Sequence, residues 1–254
     1  MKLSIAFRTS ALALAAGVAV SAAACGGGSE RTVSKVFKAA PWQGDESLTY
    51  QLKQRDENLG TCILRTDVEA EPGHTRLLAL CGSPDGNNRD DREVMVDSRT
   101  LRPLVTHRVI TDAKKGTKTQ FSGNYEEPVV RLTLDRDGKV SATTRELPQP
   151  TAKSPDPGYY DDESLNWVVR GIDLRNGFEG AYRDVNAGNA RVFTVTLYVD
   201  GSEKVQVPAG EFTAWKVRVE TESITQMFWV DSAAPHRVVK ARIERTNWEL
   251  TKIE

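Results

Sequence analysis

Glu203–Arg245 reads EKVQVPAGEFTAWKVRVETESITQMFWVDSAAPHRVVKARIER, three or four consecutive antiparallel strands with turn chemistry between them. Val205 and Val207 alternate with Lys204 and Gln206, the period-two pattern of a half-buried strand. Pro208 then fixes φ and Gly210 tolerates positive φ, so the chain can reverse there. Thr213, Trp215, Val217 and Val219 fall on one face of the following strand; Lys216, Arg218 and Glu220 fall on the other with Phe212 and Ala214. Met227 to Val230 supplies the next strand, and Val239, Ala241 and Ile243 line one face of the last.

The same alternation extends in both directions. Upstream, Leu48, Tyr50 and Leu52 mark a first strand near 46–54, and Val94–Val96, Leu104–Ile110, Phe121, Val130–Leu134 and Val140–Thr144 mark others. Phe193, Val195, Leu197 and Val199 alternate, with Asp200-Gly201 read as a hairpin turn. Thr246–Glu254 supplies a final strand. Residues 147–158, LPQPTAKSPDPG, hold four of the eleven prolines and exclude an inner strand or a helix interior. They predict a long surface loop between two halves of one domain. Just after it, Asp161 or Asp162 can cap a short helix whose apolar face is Leu165, Val168, Val169 and Ile172, with Gly171 as its early stop. Short strands, frequent turns and one short helix predict a mainly all-β fold, a curved antiparallel sheet or barrel-like closure in which few edges stay open.

The N-terminus reads as a targeting segment. Lys2 and Arg8 precede an apolar run, Ala11–Ala24, which is short for a membrane span. It ends in Ala22-Ala23-Ala24-Cys25, which resembles the lipobox of bacterial lipoproteins, with Ala22 where Leu, Val or Ile is usual. Ala22-x-Ala24 also fits ordinary signal-peptide cleavage. Gly26-Gly27-Gly28-Ser29 then suits a flexible tether. The expected organisation is a signal peptide over 1–24, a lipidated Cys25 with tether over 25–44, and a single antiparallel β domain over 45–254. The expected address is extracytoplasmic, held to the bacterial membrane by lipid on Cys25.

Export permits disulfides. Folding a hairpin about the Glu71-Pro72-Gly73 turn signal sets Cys62 opposite Cys81, within bonding reach. Two buried free thiols are the alternative. Net charge is −1, or −3 without Lys2 and Arg8, which gives no general attraction to nucleic acid.

Catalytic and metal motifs are scarce. His74, His107 and His236 are scattered, and no metalloprotease or zinc-finger spacing occurs. Asp135-x-Asp137-Gly138 has Lys139 at the next ligand position of a calcium loop, so it reads as a hairpin turn. There is no nucleophile elbow, P-loop or dinucleotide fingerprint. Neither a cofactor nor an enzymatic activity is expected. Asp161-Asp162-Glu163, beside Tyr159-Tyr160, is explained by a helix N-terminus, with a carboxylate or sugar-stacking site as the sharper alternative.

YYDDESLNWVVRGIDLRNG, followed by EKVQVPAGEFTAWKVRVE, FWVD and APHRVVKA, resembles the exported bacterial family catalogued as domain of unknown function 3108. The Pro208-Ala209-Gly210 turn before an aromatic, the strand centred on Trp229 and the closing strand with Lys240 carry the resemblance, and SRTLRPLVTH in the first half adds to it. It implies an envelope β protein and supplies no catalytic residues.

Two functional readings follow. In the first, Trp167, Trp215, Val217, Val219, Met227 and Trp229 line a cavity for an apolar ligand, with the 165–172 helix as its lid. In the second, the same residues pack a solid core, and the surface meets other envelope components. A buried cluster of titratable groups would instead favour an enzyme. The expected partners are the membrane, through the anchor, and either an apolar ligand or another protein.

Overall fold

A computed structural model describes residues 32–254. Eight strands form an antiparallel meander in chain order: β1 (Glu46–Gln54), β2 (Glu57–Glu71), β3 (His74–Gly82), β4 (Asn88–Asp97), β5 (Pro103–Asp112), β6 (Thr117–Glu126), β7 (Val129–Arg136) and β8 (Lys139–Glu146). The proline-rich loop then carries the chain to the opposite edge of the sheet. There β9 (Tyr159–Asp161) lies parallel to β10 (Glu179–Asn186). A second meander returns through β11 (Arg191–Val207), β12 (Gly210–Glu220), β13 (Thr225–Asp231), β14 (Val238–Ile243) and β15 (Thr246–Ile253). β15 pairs antiparallel with β1, so all fifteen strands belong to one sheet, ordered β8 to β1 and then β15 to β9. The fold is mainly all-β, as the alternation predicts.

The two edges of this sheet approach each other without a backbone ladder. Phe121, Val130 and Leu132 of β6 and β7 share a small core with Tyr159, Val185 and Ala187 at the other edge. The larger core fills the rest of the interior, from Tyr50 and Leu64 on the first meander to Leu197 and Phe228 on the second.

The helix is shorter than its apolar spacing predicts. Asp161 caps it by accepting from the Glu163 amide at 2.9 Å. A 3-10 turn, Asp162–Ser164, leads into α1 (Leu165–Val168). Gly171 follows, where a Cβ would lie 2.1 Å from the Phe37 ring. Trp167 is buried and donates its indole N–H to Thr66 Oγ1 at 2.8 Å. Arg170 forms a buried ion pair with Glu46 and donates to the Pro235 and His236 carbonyls at 3.1 and 3.0 Å. Thr66, Glu46 and the β13–β14 turn lie at one end of their strands, so the helix plugs that end of the curled sheet.

Two expectations are corrected. Asp200-Gly201 is no hairpin: β11 runs through it, and the register with β12 jumps between Val199 and Ser202. The extra residue makes a bulge, which Gly201 accommodates at φ +110°. The expected tether also ends early. Ser34 donates to the Ala181 carbonyl at 2.8 Å, Lys35 to that of Asp156 at 3.0 Å and Lys38 to that of Gly171 at 2.7 Å. Val36, Phe37 and Trp42 are buried in the main core, so this strap is part of the folded body. Cys25 and the leader lie outside the described residues.

Candidate functional site

A groove of about 1050 Å³ opens at the end of the sheet away from the helix. Four hairpin ends surround it: β1–β2, β3–β4, β5–β6 and β14–β15. Its apolar wall comes from well-separated parts of the sequence, Leu52, Leu59, Ile110, Ile243 and Trp248. Pairing explains their meeting. Leu52 lies opposite Trp248 across the β1–β15 junction that joins the two meanders. Trp248 packs edge-on to Tyr50, with ring centroids 5.8 Å apart. Cys81 also lines the groove; it is bonded to Cys62, its direct partner across β2 and β3.

The inner wall of the groove is charged. Arg92 and Asp90 of β4 line it and pair with each other. Arg108 of β5 donates to both carboxylate oxygens of Asp90 at 2.8 Å. Burial opposes ionisation of Asp90, but the two guanidiniums overcome it and hold the carboxyl below its ordinary range. Behind this pair lies Glu163, 2.9 Å from Arg108 and 3.3 Å from Arg92. Glu163 opens a cluster of carboxyls with Asp161, Asp162 and Asp184. Burial first, and the Glu163 charge second, push Asp161 up to about 7. Asp184 is raised well above the carboxylate range by burial and then by the charges of Asp162 and Asp161. The groove thus joins an apolar mouth to a polar, ion-paired inner end.

The tryptophans singled out in the sequence do not converge on this groove. Trp167 is core. Val217 lies opposite Phe228 and Trp215 opposite Val230, so these share the inner face with Val219. Met227 instead lies opposite Arg218, and Trp229 opposite Lys216. The expected inner face therefore mixes two faces, because a register one residue away reverses every side chain. Trp229 points outward, its indole N–H bonded to the Glu203 carboxylate and Lys240 5.5 Å above its ring. None of the six expected lining residues borders the groove. Trp248 does, and its Trp248–Leu250 alternation was its only signal in the sequence.

The acids of 161–163 also differ from a solvated helix cap. Asp161 is buried and accepts from Tyr125 Oη and, at 3.2 Å, from Thr106 Oγ1. Asp184 was not legible. β10 is covered on both faces, so its sequence, EGAYRDVN, lacks the alternation that would announce a strand. Among the described residues no group of histidine, cysteine and carboxylate side chains is arranged to hold a metal.

Residues 85–247 match the family described as "Protein of unknown function (DUF3108)". Among curated proteins, no significant match to the chain is found. Among solved structures, the chain is similar to a beta-barrel-like protein of domain of unknown function DUF1849 from Brucella abortus. The identity is 11% and the TM-score 0.49, over 83% of this chain and 97% of that chain. With residues 85–247 of 254 matched, the chain belongs to the DUF3108 family of proteins of unknown function.

Proposed function

We propose that the protein is a lipid-anchored module of the bacterial envelope that binds an amphiphilic ligand in the mouth of its curled sheet. The groove carries this reading. Its volume, about 1050 Å³, is at the upper end of ligand pockets. Leu52, Leu59, Ile110, Ile243 and Trp248 offer an apolar wall for a chain, and Arg92 with Asp90 offers a polar inner end. A module tethered through Cys25 would sit beside a supply of such molecules. The apolar-carrier reading thereby moves from the Trp167–Trp229 set, which packs the core or faces outward, to the groove around Trp248.

Titration with a dansyl-labelled fatty acid tests the groove. Wild type should give saturable binding with energy transfer from tryptophan. Ile110 is half-buried in the wall, so Ile110→Asp should fold and weaken binding about tenfold or more, since a desolvated charge opposes the chain. Absent binding, or equal binding by the variant, leaves the envelope-interaction reading in its place. The anchor is tested separately: Cys25→Ser should release the protein from the membrane fraction, because stable anchoring needs two or more acyl chains.

A further inference from the structure

The two edges of the sheet meet along a seam made of side chains. From the β9 side come Asp161, Asp162 and Glu163, with Tyr182, Asp184 and Asn186 of β10 beside them. From the other side come Asp90 and Arg92 of β4, Thr106 and Arg108 of β5 and Tyr125 of β6. The bonds across it run from Tyr125 and Thr106 to Asp161, and from Arg92 and Arg108 to Glu163. At its outer end Arg102 reaches Asp156 and Glu127, each at 3.0 Å, and Tyr159 donates to Glu127 at 2.6 Å.

Charge does not balance in this space. Asp90, Asp161, Asp162, Glu163 and Asp184 are paired only with Arg92 and Arg108 in the inner part of the seam, while Arg102 at its outer end is taken by Asp156 and Glu127. Asp184 lies beside Asp162, whose charge helps to raise it. Two ionised carboxylates are both acceptors, so a hydrogen bond between them requires a proton on one. The remaining contacts cannot absorb a second charge: Asp184 Oδ2 and the neighbouring Tyr182 hydroxyl are buried and have no hydrogen-bond partner. Asn186 donates to Asp162 Oδ2 at 2.9 Å.

We propose that this seam is a proton-controlled closure. While the Asp162–Asp184 pair and Asp161 hold protons, β9 and the 3-10 turn stay locked to β4, β5 and β6; when they lose them, buried charges short of counter-ions regain water only if the two edges part. The direction follows from linkage. Carboxyls raised in the folded state stabilise it fully below their unfolded values and lose that contribution as pH rises through the folded ones. For Asp161 the loss runs from 3.8 to about 7. Asp162 and Asp184, both raised by burial and then by neighbouring carboxylates, extend the same trend. Asp90, held low by its arginines, resists only stronger acid. Asp90 and Arg92 belong to both seam and groove, so opening the seam would also open the inner wall of the groove. The closure itself needs no ligand.

Hydrogen exchange of the ligand-free protein tests it, with rates corrected for intrinsic exchange. In wild type, protection of peptides covering 159–168 and 104–126 should fall about tenfold or more between about pH 5 and about pH 8, while the β1–β2 hairpin keeps its protection. Asp184→Asn mimics the protonated acid and should reduce the fall to the part that Asp161 carries. Asp162→Asn, on the other member of the pair, is the second variant should the first fail to fold. Equal protection of the wild-type seam at both pH values overturns the proposal. So does a fall in the Asn variants as large as in wild type. Because no ligand is present, these outcomes are independent of whether the groove binds fatty acid.

Discussion

At the scale of single residues, the buried polar contacts decide more than the apolar ones. Trp167 brings a large apolar ring into the core and a donor that only Thr66 satisfies. Trp167→Phe should therefore cost about 1–3 kcal/mol through the unpaired threonine and the lost ring area. Trp167→Ala should cost about 3–5 kcal/mol. Urea unfolding measures both, and a near-neutral Trp167→Ala would mean that the site is a cavity wall. Arg170 is a sharper case, since Glu46 is buried and depends on it. Its removal should destabilise by about 3–5 kcal/mol, the usual result of stranding one buried charge. The same unfolding curve checks this, and a loss under about 1 kcal/mol would show that Arg237, 3.3 Å from Glu46, suffices alone. Neither contact was legible, because helix and partners are about a hundred residues apart in the chain.

At the scale of elements, local chemistry was a good guide where turns were tight. A hairpin folded about Glu71/Pro72 sets Cys62 opposite Cys81; the structure turns at Pro72-Gly73, and a register shift between Asp67 and Glu71 restores that pairing, which the disulfide closes. With the cysteines 19 positions apart in sequence, the bond should contribute on the order of 3 kcal/mol by restricting the unfolded chain. Reduction, or a Cys62→Ala/Cys81→Ala double variant, should lower the unfolding midpoint accordingly; an unchanged midpoint would place the effect elsewhere. Gly60 supports the same region. It has φ +124°, and a Cβ there would meet the Gly82 carbonyl oxygen at 1.9 Å. Asp200-Gly201 shows the limit of turn signals: a glycine at positive φ serves a bulge as well as a hairpin, and only the partner strand distinguishes them. Edges follow a similar logic. β8, open on one side and exposed on both faces, carries Lys139, Arg145 and Glu146, charges that discourage pairing with another chain.

At the scale of the whole molecule, closure depends on segments far from the strands they secure. The strap through Val36, Phe37 and Trp42 runs over Gly158, Tyr160 and Gly171, and Phe37 donates its amide to Tyr160 Oη at 3.1 Å. A chain lacking residues up to 44 should lose several kcal/mol, since each buried side chain of this kind contributes about 1.5–3 kcal/mol. Thermal unfolding of the truncated protein checks this, and wild-type stability would return the segment to the status of a tether. Reading the segment as tether followed from its low alternation: a strap packs single side chains into gaps and has no period.

The sequence by itself determined the strand succession apart from β9 and β10, most of the tight turns, the disulfide partners and the all-β class. Each of these rests on neighbours or on a period of two, which the chain displays locally. Tertiary structure alone decided which face of β13 looks inward, since Met227–Phe228–Trp229–Val230 is apolar throughout and register must choose. It also decided the groove, whose wall joins Leu52 to Trp248, and the seam, where Asp161 and Asp184 become costly only because curling the sheet removes water from both. Burial is a property of the closed molecule, and a carboxylate in a sequence gives no sign of it.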